Sequence, residues 1–111
     1  MTDRALKYLY DIAYAIKMVD EFLISTPTFT MYVADLKTKS AVERQLAIIG
    51  EAVNKFEKEN TGVQLSHSKE IINFRNRLIH AYDAIDDSIV WAIKINHLPL
   101  LKQEVADVIG R

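Results

Sequence analysis

The sequence of 111 residues contains no cysteine, only two prolines and only three glycines. The absence of cysteine excludes a disulfide framework, a thiolate zinc site and a cysteine nucleophile. With so few proline and glycine residues, long segments remain in which nothing interrupts a helix. Half of the residues are hydrophobic, and a chain of this length can bury a core of its own, so we expect one compact, helix-rich domain.

The sequence also lacks any apolar run close to the roughly 20 residues that span a bilayer, and Met1–Arg4 lacks the apolar core of a signal peptide. We therefore expect a cytoplasmic protein with no membrane partner. The formal net charge is −1, whereas proteins that bind nucleic acid non-specifically usually carry a surplus of cations. If the protein binds RNA, its cations must be concentrated locally, and symmetric pairing of two chains would be one way to achieve this.

Apolar residues recur at spacings of three and four through most of the chain, which predicts amphipathic helices. A first helix is predicted from about residue 3 to residue 23, followed by a short apolar connector. Ser40 and Glu43 have the spacing of a capping box and predict that a second helix starts there. Gly50 interrupts this second helix at a cost of about 1 kcal/mol relative to alanine, which suggests a close approach by a neighbouring helix.

A third helix is predicted to start at Leu65 and Ser66, and Asp86 and Asn96 are predicted to cap a fourth and a fifth helix. The sequence shows no strand pattern, internal repeat or low-complexity segment. The expected fold is therefore an all-α, up-and-down bundle of four or five helices, formed by residues 1–111 as a single domain.

The segment Phe74–Tyr82 concentrates polar chemistry within an otherwise apolar helical pattern. It contains a permanent cation, an amide, an imidazole and a phenol, at Arg75, Asn76, His80 and Tyr82. Arginine binds phosphate through a planar fork of donors, and histidine is the side chain best suited to take or give a proton near neutral pH. Together these residue types are suited to chemistry on a phosphodiester.

Helical geometry divides the polar residues of this segment into pairs. Arg75 and Tyr82 are seven positions apart and are predicted to share one face, whereas Asn76 and His80, four apart, are predicted neighbours. Arg75 and His80 lie about 140° apart around an ideal helix, so the helix alone does not bring them together. Three arrangements remain open: the helix is distorted near His80, the two side chains meet across the edge of a cleft, or they meet between two chains. Arg77 faces away from Arg75 and is expected to be solvated.

The sequence from Arg75 to Tyr82 resembles the Arg-x4-His-x-Tyr motif of HepT-like toxins in the HEPN superfamily. The segment 41–52 is similar to the second-helix signature of that family. The segments 89–91 and 98–101 are similar to its C-terminal part, so the resemblance covers nearly the whole chain.

This resemblance implies a metal-independent endoribonuclease without a cofactor, the toxin of a type VII toxin–antitoxin system, with the motifs of a homodimer facing a shared cleft. It implies that Arg75 and His80 are the catalytic pair and that Asn76 is a supporting polar residue. Tyr82 matches the tyrosine that a minimal nucleotidyltransferase (MntA-like) antitoxin can modify with AMP, silencing the nuclease; a substrate contact is its alternative role. The implied partners are RNA and such an antitoxin.

Two alternatives to a ribonuclease remain open. The first is a catalytically inactive HEPN subunit that binds a nucleotide within a two-protein nucleotidyltransferase. The second is a helical dimerisation protein in which Arg75 and His80 only tie helices together. The presence of Arg75, His80 and Tyr82 in one motif favours the ribonuclease over the inactive subunit.

Other polar residues are interpreted as structural. Glu51 is expected to pair with a basic side chain such as Arg44 or with one across the dimer, and His67 and His97 are expected at the surface. The sequence contains no Glu-x-x-His pair on two helices and no glycine-rich phosphate loop, so neither of these sites is expected.

Overall fold

Six α-helices make up most of the computed structural model, which describes the backbone of residues 1–111 and every side chain except that of Tyr82. They are α1 (Asp3–Phe22), α2 (Phe29–Ala34), α3 (Leu36–Glu57), α4 (Ser68–His80), α5 (Asp87–Asn96) and α6 (Leu98–Ile109), with a short 3-10 turn at Tyr82–Ala84 between α4 and α5. The described backbone contains no strand. The predicted all-α bundle is confirmed. It contains one helix more than the five expected at most, because the apolar connector after α1 folds as the short helix α2.

The two longest helices, α1 and α3, share the most extensive packing in the molecule. α4 packs on α3, and α6 packs on α1. The apolar stripe of each helix faces its neighbours, and the fully buried side chains at these contacts include Leu9, Ile12, Val42, Ile49, Phe56 and Leu101. As a result α3 lies between α1 and α4, and the polar edges of these three helices border one groove.

α3 begins at Leu36, four residues before the predicted capping box. Its N-cap is Asp35, whose carboxylate accepts a hydrogen bond from the backbone N–H of Thr38 at 3.0 Å. The prediction that Ser40 and Glu43 start the helix is wrong, and both residues lie inside α3. Asp35 supplies the same cap chemistry earlier in the chain, where it satisfies one of the free N–H groups of the first turn.

The remaining helix starts agree with the sequence to within three residues. Asp86 caps α5 as predicted, since its carboxylate accepts from the backbone N–H of Ser88 at 2.9 Å. The prediction that Asn96 caps the last helix is wrong by one residue, because Asn96 ends α5 and His97 precedes α6 without a side-chain cap. Within the described part of the chain, every helix is too short or too polar to cross a membrane.

Candidate active site

Gly50 allows α3 and α4 to approach each other closely at Arg75. A Cβ atom on Gly50 would overlap Cβ of Arg75, and would lie 2.9 Å from its Cγ and 3.2 Å from the backbone oxygen of Ile71. These separations leave no room for a side chain, so the stem of Arg75 lies directly over the backbone of α3. The close approach predicted at Gly50 is confirmed, and the neighbouring helix is the one that carries the polar motif.

Two neighbours hold the guanidinium group of Arg75. Its Nη2 donates to Oε2 of Glu51, and its Nη1 donates to Oδ1 of Asn76 at 3.1 Å. Its Nε is buried, with no hydrogen-bond partner in the described structure. The side chain retains 24% of its exposure, so the plane of the guanidinium is restrained while part of it still faces solvent.

Glu51 connects Arg75 to a second cation. While its Oε2 accepts from Arg75, its Oε1 lies 3.4 Å from Nζ of Lys55, one turn further along α3. The expectation of a basic partner is confirmed, but the partners are Arg75 and Lys55 rather than Arg44. The reason is the contact at Gly50, which places α4 beside the next residue of α3. Sequence reasoning left Glu51 out of the site, although its position next to Gly50 was a usable signal.

Arg75 lies in a groove of about 380 Å³ between α1, α3 and α4. Four cations and two carboxylates line it, whereas the whole chain has a net charge of −1. The groove therefore concentrates positive charge, as RNA binding by a chain of this charge requires. The charged residues that line it are Lys7, Asp11, Arg44, Glu51, Lys55 and Arg75, and Tyr8, Ala47, Ile48, Ala52 and Ile79 complete the lining.

His80 ends α4 and is exposed. The helix is regular up to this residue, because the N–H of Ala81 still donates to the backbone oxygen of Arg77 at 2.8 Å, and it breaks only at Ala81 (φ −143°, ψ 40°). A distortion between Arg75 and His80, the first of the three possible arrangements, is therefore not observed. His80 is not one of the described side chains that line the groove around Arg75. Two of the three arrangements remain open: Arg75 and His80 meet across the edge of a cleft, or they meet between two chains.

Tyr82 does not belong to the same helix as Arg75. The prediction that Arg75 and Tyr82 share one helical face is wrong, since α4 ends at His80 and Tyr82 begins the separate 3-10 turn. The side chain of Tyr82, for which the family resemblance implied a regulatory role, lies outside the described residues. Asn76 and Arg77 are both exposed on α4, as expected for Arg77.

The other two histidines form a contact that the sequence did not predict. The rings of His67 and His97 stack, with centroids 4.3 Å apart and 27° between their planes. His67 is exposed as expected, but Nδ1 of His97 is buried without a partner in the described structure. Burial, followed by the positive charge of His67, lowers the pKa of His97. Among the described side chains, no three metal-ligating groups gather at one point.

Comparison with known proteins identifies relatives of the whole chain. Residues 12–108 match the family model described as ribonuclease HepT-like. A probable ribonuclease HepT of Thermococcus cleftensis is 36% identical over 99 residues, which cover 86% of this chain and 86% of the relative. A candidate RNase of Methanocaldococcus jannaschii is 36% identical over 104 residues, 92% of this chain and 84% of the relative. Another from the same organism is 34% identical over 110 residues, 95% and 97% of the two chains.

These matches place the chain, an all-α bundle, among proteins described as ribonucleases. The chain belongs to the HepT-like ribonuclease family, which confirms the resemblance found in the sequence. The matched region includes Glu51, Arg75 and His80. No solved structure matches the chain significantly.

Proposed function

We propose that the protein is an endoribonuclease that cleaves RNA with Arg75 and His80. The observation that carries this proposal is the guanidinium of Arg75, which is restrained by Glu51 and Asn76 yet partly exposed in a groove rich in cations. A flexible arginine on a helix surface would have to lose conformational freedom on binding an anion. An arginine that is already oriented, such as Arg75, avoids this loss and can stabilise the charge that develops on a phosphate.

The proposed reaction uses a nucleophile that RNA itself carries. A base removes the proton of the 2′-hydroxyl, whose oxygen forms a bond to the adjacent phosphorus, while the bond from phosphorus to the 5′-oxygen breaks. An acid gives a proton to the departing 5′-oxygen, and the products are a 2′,3′-cyclic phosphate and a 5′-hydroxyl end. Arg75 stabilises the charge on the phosphate. His80 transfers a proton, a role worth roughly 10²–10⁴-fold in rate.

We propose that two copies of the chain form the complete site, with both motifs facing one cleft. The reaction needs an acid and a base, and each chain contributes one imidazole at His80. In addition, the regular helix directs Arg75 and His80 about 140° apart, so pairing of two chains offers a direct way for them to act on one phosphate.

We propose that the protein acts as the toxin of a toxin–antitoxin pair, with a minimal nucleotidyltransferase as antitoxin. Tyr82 follows His80 by two residues, so a nucleotide attached to it would add a bulky negative group beside the motif. Such a group would repel RNA phosphates and would compete with them for Arg75.

Cleavage of RNA by the purified protein tests the proposed activity. Total cellular RNA is incubated with wild type, Arg75→Ala, His80→Ala and Arg77→Ala, with and without a chelator. Wild type and the Arg77→Ala control are expected to cleave in the presence of chelator, while the other two variants lose about 100-fold or more of the rate. Unchanged cleavage by His80→Ala would show that His80 is not the proton-transfer group.

Mixed dimers test the proposal that two chains share the site. Wild-type and His80→Ala chains are co-expressed with different tags, and the mixed dimer is isolated. If the acid and the base of one cleft are the two His80 side chains, the mixed dimer is nearly as inactive as the His80→Ala homodimer. If each chain acts with its own Arg75 and His80, the mixed dimer keeps one intact site and a corresponding part of the wild-type activity.

A nucleotide-binding subunit without nuclease activity is the second candidate. The volume of the groove, about 380 Å³, supports it because this value falls within the range of small-ligand sites. Binding of ATP that is lost in Arg75→Ala, together with the absence of RNA cleavage by wild type, would favour this function over the first.

A further inference from the structure

The groove extends along α3 well beyond the position of Arg75. Arg44, Glu51 and Lys55 are separated by seven and four positions and all line the groove, so they form one stripe on the helix. An α-helix rises about 1.5 Å per residue, so this stripe is about 16 Å long. Arg44 lies at one end of it and Lys55 at the other. The proposed cleavage chemistry uses only the part near Arg75.

Arg44 is the cation of the groove that has no carboxylate partner among the described residues. Lys7 binds Asp11 at 2.7 Å, and Lys55 and Arg75 both bind Glu51. Arg44 is exposed, and no described carboxylate lies within salt-bridge distance of it. With four cations against two carboxylates, the groove has a surplus of positive charge, and Arg44 is the group most able to bind an added anion.

Tyr8 adds an aromatic surface to the same groove. It lies on α1, is half-buried, and packs in part against the hydrophobic core. The core contact holds the ring in place, so little conformational freedom is lost when a base stacks on it. Tyr14 lies six residues further along α1. Its side chain is 63% exposed, and it is not among the described side chains that line the groove.

We infer that the groove is a binding subsite for single-stranded RNA beside the cleavage site, in which Arg44 binds a backbone phosphate other than the scissile one and Tyr8 contacts a base. This inference rests on the proposed function, since it takes Arg75 to bind the scissile phosphate. Cations combined with an aromatic side chain are typical of sites for unpaired strands. The bases of a duplex stack on one another and leave no face for Tyr8, and a groove of about 380 Å³ does not admit a duplex.

Binding is measured with a short RNA strand in which every 2′-hydroxyl is methylated. Such a strand lacks the nucleophile, so the fluorescence anisotropy of a label on it reports affinity without cleavage. Wild type is compared with Arg44→Gln and Tyr8→Leu, and the control variants are Lys58→Gln and Tyr14→Leu, which remove a cation and a phenol from exposed surfaces outside the groove. Each protein is titrated at several salt concentrations.

The two groove variants are expected to weaken binding by about tenfold each but to differ in salt dependence. Arg44→Gln reduces the slope of log affinity against log salt by about 0.7, the value for one phosphate contact on a single strand. Tyr8→Leu leaves that slope unchanged, because stacking releases no counterions. Tyr8→Phe, which keeps the ring, retains the wild-type affinity, and thermal denaturation of Tyr8→Leu shows that its weaker binding does not result from unfolding.

Three outcomes would overturn the subsite. One is wild-type affinity in Arg44→Gln and Tyr8→Leu, and another is equal affinity for the strand and for its duplex. The third is a change in self-association of Arg44→Gln, measured by sedimentation, without a change in affinity for RNA, because the groove would then be a protein interface.

Failure of the proposed ribonuclease would give a different result. In that case natural RNA stays uncleaved by wild type, while the methylated strand still binds in a way that depends on Arg44. If instead natural RNA is cleaved and Arg44→Gln binds and cleaves like wild type, the ribonuclease stands and only the subsite is wrong.

Discussion

The stem of Arg75 lies against the backbone of Gly50, with Cγ only 2.9 Å from the place where a Cβ of residue 50 would be. One missing side chain on α3 therefore determines how closely the arginine on α4 approaches. Because Glu51 follows Gly50 directly, the same contact brings the carboxylate and the guanidinium together. The close approach and the ion pair thus have a single structural origin.

Gly50→Ala is expected to damage both stability and activity. The added methyl group forces α3 and α4 apart, and overpacking of this kind costs about 1–3 kcal/mol, partly offset by the better helix propensity of alanine. Separation of the helices also removes Arg75 from Glu51. Chemical denaturation and RNA cleavage are measured, with Gly110→Ala at the C-terminal cap of α6 as the control. A Gly50→Ala protein with normal stability and cleavage would contradict the close contact.

Glu51→Gln is expected to lower kcat by about tenfold with little change in KM, since the amide keeps the shape but not the charge that orients Arg75. Lys55→Gln serves as the control, because it removes the other cation that binds Glu51 and leaves Arg75 paired. Steady-state kinetics on a defined RNA separates kcat from KM. Faster cleavage by Glu51→Gln would mean that the carboxylate competes with phosphate for Arg75 instead of positioning it.

Arg75→Lys is expected to lose about 100-fold or more of the cleavage rate although the charge is kept. An ammonium is a point charge without the planar fork, so it cannot bind Glu51 and Asn76 together and still offer donors to a phosphate. Single-turnover cleavage checks this, with Arg77→Lys as the matched control on the exposed face of α4. A normal rate in Arg75→Lys would show that positive charge alone is sufficient.

The free energy of unfolding is expected to fall as the pH drops below about 6.5, the usual pKa of histidine. Burial and the charge of His67 lower the pKa of His97 in the folded protein, against a smaller opposite effect of Glu70. The unfolded chain therefore binds the proton more readily, and stability that is complete above that pH is lost as the pH falls through the folded pKa.

Urea denaturation across this pH range measures the effect of His97. His97→Gln, which cannot be protonated, is expected to lose less stability on acidification than wild type, while the exposed His80→Ala control behaves like wild type. Equal pH dependence of wild type and His97→Gln would show that the stacked pair does not govern acid stability.

Local signals account for the parts of the fold that the sequence predicted correctly. The apolar periodicity of α1 and the cap at Asp86 involve neighbours within a few positions, so sequence reasoning found both. The start of α3 was missed because Asp35 and Ser40 are both good caps. Local chemistry does not choose between them, and the packing of α2 against α3 contributes to where the helix begins.

By itself the sequence determined the helical content, the polar motif on α4 and the need for space at Gly50, because each depends on residue type and spacing alone. Only the tertiary structure decided that Glu51 pairs with Arg75 and that His67 stacks on His97. Those partners lie on different helices, and the way helices cross depends on how all their side chains pack together, which spacing along one helix does not contain.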